Sequence, residues 1–122
     1  MYTDNMTVAA PFLQAAYALG SMTTDSFVAL TFRKHARKWK RETAYVSSLT
    51  DKYLHPSYAR IIGLGPSAVP LILETLKRDP GDWFFALRAL TGVNPVPNAD
   101  AGDMPRMAAA WIKWGRQRHL IG

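Results

Sequence analysis

Val28, Phe32, Ala36, Trp39 and Thr43 recur at steps of four, four, three and four residues. A strand turns over every second residue, so only an α-helix puts these five side chains on one stripe. Phe32 and Trp39 are its heavy packing groups. The positions between them hold Arg33, Lys34, Arg37, Lys38, Lys40 and Arg41, six of the chain's fifteen basic residues. The spacing therefore predicts a helix with a narrow apolar face and a broad cationic one. Thr24 or Asp25 is placed to open it, because a short side-chain oxygen satisfies the free amides of a first turn.

Helical spacing recurs along the rest of the chain, and no hairpin dipeptide separates alternating segments. Residues 7–19 read as a first short helix ended by Gly20, with residues 1–20 a flexible or separately packed N-terminal segment of a single domain spanning 1–122. Ser47 to Asp51 reads as a connection or a continuation of the basic helix. His55-Pro56 starts a short helix through Tyr58, Ile61 and Ile62, since proline is preset for a first turn, and Gly63 and Gly65 end it. Pro66-Ser67 opens the next helix, with Pro70 inside its first turn and Val69, Ile72, Leu73 and Leu76 as its buried stripe. After the turn Asp79-Pro80-Gly81, Asp82 is expected to cap a helix bearing Trp83, Phe84, Leu87 and Leu90, stopped by Gly92. Val93 to Gly102 is a proline-rich loop. Asp103 then caps a last helix from about Met104 to His119, with Met107, Ala108, Trp111, Ile112 and Trp114 crowding its inward side. The expected fold is all-α, a compact bundle of five to six helices.

The composition narrows the function classes. Hydrophobic residues make up 48% and charged residues 20%, a globular balance. Cysteine is absent, which removes disulfides, thiolate zinc sites and cysteine nucleophiles. No run approaches the roughly 18 consecutive apolar residues of a membrane span. The first twenty residues lack the basic start of a signal peptide, so a cytoplasmic protein is expected. A net charge of +6 favours anionic partners.

The run Gly-Leu-Gly-Pro-Ser-Ala-Val-Pro-Leu-Ile-Leu, a charged turn and Trp-Phe-Phe-Ala-Leu-Arg-Ala-Leu resemble one HEAT-type helical hairpin over Ile61 to Gly92. His55 to Gly63 would be the second helix of a preceding degenerate unit, giving a bundle with HEAT-like geometry over about residues 55–92. More of the chain, about residues 42–115, is similar to a group of small bacterial proteins. The shared elements here are His55-Pro56, Tyr58, Ile61-Ile62-Gly63, Gly65, Pro70 to Leu73, Trp83, Ala86-Leu87, Thr91-Gly92, Pro95-Val96, Gly102, Met107, Ala110-Trp111 and Trp114-Gly115. That resemblance implies a free-standing bacterial cytoplasmic protein from accessory or mobile-element genes, and it carries over no catalytic residue.

Catalytic patterns are thin. His35, His55 and His119 lie far apart, with no pair at helical ligand spacing, so neither metal nor cofactor is expected. Gly63-Leu64-Gly65-Pro66 lacks the lysine of a phosphate loop and marks a helix end instead. His55 before Pro56 reads as a cap for the local backbone. Trp39, Trp83 and Trp111 read as core, and Trp114 as a core residue that could stand partly exposed. The expected function is a non-catalytic module docking onto a protein partner in a bacterial accessory, mobile-element or defence-type complex. Its candidate contacts are Arg33, Lys34, Arg37, Lys38, Lys40, Arg41 and Trp114, together with the Val93 to Gly102 loop. An alternative sets the same basic helix, residues 31–41, on nucleic-acid phosphates. A third is a small enzyme in which Asp51, Glu74 and Asp82 converge.

Overall fold

The computed structural model describes residues 23–122. The helix expected over residues 7–19, and the segment 1–20 that contains it, lie outside them. Six α-helices and no strand occur among the described residues: α1 (Thr24–Glu42), α2 (Leu49–Tyr53), α3 (Pro56–Gly63), α4 (Ala68–Arg78), α5 (Phe84–Thr91) and α6 (Met104–Gln117). This is the expected all-α bundle. Helices α3 and α4 are its middle: α1 lies chiefly on α3 and also on α4, α5 on both, and α6 on α4. No single helix among the described residues is long and apolar enough to cross a membrane.

The stripe of α1 lies inward, with Phe32, Trp39 and Thr43 buried and Val28 and Ala36 half-buried. The cap is Thr23, not Thr24 or Asp25. Its hydroxyl accepts from the Ser26 amide at 3.1 Å, which starts the helix one residue earlier than expected. Asp25 stays in the first turn, where its charge suits the positive end of the helix dipole. Leu49–Tyr53 is a helical turn and not a plain connection, because Ser48 caps it by accepting from the Asp51 amide. The Trp39 indole N–H donates to the Lys52 carbonyl at 2.8 Å, tying that turn to α1.

His55 caps α3, its Nδ1 accepting from the Ser57 amide at 3.1 Å. The chain then bends by 103° between α3 and residues 65–78. Gly65 allows the bend through a φ of +77°, which side chains with a Cβ rarely adopt. A 3₁₀ turn, Gly65–Ser67, comes first, so α4 begins at Ala68 and not at Pro66. Pro70 sits in its first turn as expected.

Asp82 does not cap α5. Its carboxylate is drawn instead to the Lys52 ammonium at 3.0 Å, and Trp83 stands at the cap position without a side-chain bond. The Tyr58 hydroxyl, from α3, takes over that role. It accepts from the buried Ala86 amide at 2.9 Å and donates to the Asp82 carbonyl at 3.1 Å. Burial raises the pKa of this phenol far above the usual tyrosine range, so it stays a donor. Around it Trp39, Tyr58 and Trp83 pack with ring centroids 4.7 to 5.8 Å apart, and Phe32 meets Trp83 at 5.7 Å. Such pairs contribute roughly 0.5–1.5 kcal/mol each beyond the area they bury.

Asp103 caps α6 as expected, accepting from the Arg106 amide. The helix ends at Gln117, short of His119, which takes a left-handed φ of 59°. The Leu120 amide then reaches back to the Gly115 carbonyl at 2.9 Å, a Schellman-type close. Gly115 is buried where α6 meets α4. A Cβ there would stand 2.6 Å from Leu73 Cδ1 and 3.3 Å from Ile121 Cγ1.

Two stability predictions follow from these contacts. Tyr58→Phe keeps the ring packing but orphans the buried Ala86 N–H, so urea unfolding is expected to show a loss of about 1–3 kcal/mol. Gly115→Ala is expected to lower the thermal midpoint, although alanine is the better helix former by about 1 kcal/mol, because the methyl overpacks the α4–α6 contact.

Candidate interaction surface

At 3.6 residues per turn, Arg33, Lys34, Arg37, Lys38, Lys40 and Arg41 spread over an arc of about 160° opposite the buried stripe. All six are exposed. Their surroundings divide them. Lys40 is ion-paired with Asp79, and partial burial lowers its pKa while the charge of Asp82 opposes that shift. Arg41 reaches Glu42 at 3.7 Å across solvent, a pair worth at most about 1 kcal/mol. Arg33, Lys34, Arg37 and Lys38 form no ion pair among the described residues, although the charge of Lys38 acts on Glu42 four positions on and helps lower its pKa.

His35 sits at the border of this face, its Nδ1 3.2 Å from the Ser57 hydroxyl. Burial, foremost, and then the charges of Lys34, Arg60 and Lys38 push its pKa below the usual histidine value. Arg60, on α3, therefore adds to the positive field of α1. Nothing in the sequence pairs residues 35 and 60, since only the packing of α3 on α1 brings them together. The Ser57–His35 contact is not a nucleophile and its base, because Ser57 is only 2% exposed. His55 is likewise structural. With Nδ1 accepting from the backbone, its Nε2–H donates to Glu42 at 2.9 Å, and this bond is the main cause that lowers the Glu42 pKa.

Trp114 belongs to another part of the bundle. It lies on α6, half-buried, edge-on to Trp111 at 5.4 Å and with the Arg118 guanidinium 5.5 Å from its ring centre. Together with Pro95, Pro97, Lys113 and Gln117 it lines an open groove of about 480 Å³. The loop is ordered on that side: the Asn94 side chain accepts from the Val96 amide, and Asp100 lies 3.5 Å from Arg106. The structure thus keeps the cationic face and the Trp114 groove on separate elements.

The three carboxylates of the enzyme reading have separate surroundings. Asp51 is exposed on α2, Glu74 bonds Lys77 at 3.0 Å and Asp82 is held by Lys52. Among the described residues no group of three His, Asp or Glu side chains is placed to hold a metal ion. No protein-family model matches the chain, and neither curated proteins nor solved structures gave a match.

The His35 environment has a signed consequence. A histidine pKa lowered by folding means that the unfolded chain binds the proton more readily just below the ordinary value of 6.5. The stability contributed by neutral His35 is full above that pH and is lost as pH falls from it toward the folded value. Glu42, also lowered, adds a loss below its ordinary value of 4.5. The thermal midpoint is expected to drop as pH falls below about 6.5, and less steeply in His35→Gln, as scanning calorimetry on both proteins would read.

Proposed function

We propose that the protein is a non-catalytic helical module that docks an acidic protein partner on the outward face of α1. The observation that carries this is the set of four exposed cations outside any ion pair among the described residues, Arg33, Lys34, Arg37 and Lys38, on one helical face. Arg33 with Arg37, Lys34 with Lys38 and Arg37 with Arg41 are like charges four residues apart, each pair costing the helix roughly 0.2–0.5 kcal/mol. A face selected only for folding would alternate signs, so the repulsion points to a partner that relieves it. Leu30 falls within the same arc and keeps 47% of its surface in water. An apolar side chain amid arginines suits a protein interface, where aliphatic burial and carboxylate–arginine pairs act together.

The same face supports a second reading. Arg33, Arg37 and Arg41 form a row with a rise of about 6 Å between successive members, an arrangement suited to nucleic-acid phosphates. A bacterial accessory, mobile-element or defence-type complex is the setting we favour, and the lack of cysteine suits a reducing cytoplasm. The helix–turn–helix order of α4 and α5 after the bend at Gly65 supports reading residues 55–92 as a HEAT-like unit.

The two partners separate experimentally. A tagged copy recovered from its own cells is expected to carry one stoichiometric acidic protein, lost in Arg33→Glu/Arg37→Glu and weakened in Leu30→Ser. Phosphate binding would instead ignore Leu30→Ser. With four cations engaged on duplex DNA, it would show affinity falling with a log–log salt slope of about −3.5. Recovery of no partner, or equal recovery by the charge-reversed variant, removes the docking proposal.

A further inference from the structure

Away from α1, a cavity of about 480 Å³ opens between α2, α5, α6 and the Val93 to Gly102 loop. None of its lining residues comes from α1, so it is independent of the cationic face. Its size is that of a small-molecule site, and its walls are mainly apolar with a few polar groups. We propose that this cavity binds a small aromatic carboxylate, its ring beside the Tyr53–Phe85 stack and its anion on Arg88.

Three features of the lining specify that ligand. Tyr53 and Phe85 stack at 5.0 Å with an interplanar angle of 14°, yet Phe85 keeps 49% of its surface exposed. A flat apolar ring entering here extends the stack and removes that surface from water. The charges of the lining are Asp82 and Arg88. Asp82 is already neutralised by Lys52 at 3.0 Å, whereas the exposed Arg88 has no ion pair among the described residues. The site therefore presents an unmatched guanidinium, whose planar fork fits a carboxylate bidentately.

The third feature is Trp111. It lines the cavity, is fully buried, and its indole N–H has no hydrogen-bond partner. With no surface open to solvent, that ring bounds the cavity and is no partner for the anion, which leaves the ligand's charge to Arg88. Trp83 carries the other unpartnered indole N–H, but it is ringed by Phe32, Trp39 and Tyr58 and lines no part of this cavity.

2-Naphthoate is a suitable probe, titrated into ¹⁵N-labelled full-length protein and followed by NMR. A saturable shift of the Trp111 indole signal is expected, along with the backbone signals of Phe85 and Arg88. Arg88→Gln is expected to weaken binding about tenfold, as is replacing the probe by uncharged 2-naphthylmethanol, since either change removes one charge-assisted pair. Ala101→Trp, which fills the cavity from its exposed rim, is expected to abolish binding while leaving thermal unfolding unchanged. Arg33→Gln/Arg37→Gln is expected to bind like wild type. No saturable shift at millimolar probe, shifts confined to α1, or binding indifferent to Arg88→Gln and Ala101→Trp would each overturn the proposal.

Discussion

The bundle depends on one phenol. Tyr58 stands fully buried among Trp39, Trp83 and Tyr53, and its hydroxyl joins α3 to the start of α5 through the Ala86 amide and the Asp82 carbonyl. Helix α5 has no side-chain cap of its own, so its first turn is completed from another helix. The dependence runs in both directions. The stripe of α1 presents Trp39 to Tyr58, and the Trp39 indole anchors α2 through the Lys52 carbonyl. Lys52 in turn holds Asp82, which keeps that carboxylate from the cap it would otherwise form. Through this chain of contacts the core decides where Phe85 and Arg88 stand, and hence the form of the cavity beneath the proline-rich loop.

The outward face of α1 is under no such constraint. Exposed ion pairs contribute at most about 1 kcal/mol, and only Lys40 and Arg41 among its six cations form an ion pair among the described residues. The fold would tolerate many other residues at positions 33, 34, 37 and 38. Charge concentrated where folding does not require it is the physical ground for proposing that face as a docking surface. The cavity rests on a different ground, namely a cation and an aromatic surface that folding leaves unmatched at Arg88 and Phe85.

Much of the architecture was legible because helix periodicity and end signals are local. The stripe of α1, the His55 and Asp103 caps, Pro70 in a first turn, the stop at Gly92 and the buried Trp39, Trp83 and Trp111 could all be read from spacing and residue type. The cationic face was legible for the same reason, since a regular helix fixes which positions share a side. The errors came where two local solutions competed. Asp82 is a good cap by residue type, but a lysine thirty positions away claims it. Thr23 outcompetes Thr24 by one residue, and Ser48 turns an apparent connection into a helical turn.

By itself the sequence determined five of the six helices described, which side of each is apolar, and that one helix carries most of its cations outward. These properties follow from backbone geometry and side-chain polarity within a few residues. Only the tertiary structure decided that Tyr58 caps α5, that Arg60 and His35 share a field, and that Trp114 lies apart from the basic helix. It alone assembled the cavity at Trp111 and Arg88. Each of these is a meeting of residues distant along the chain, set by how helices pack and not by any local preference.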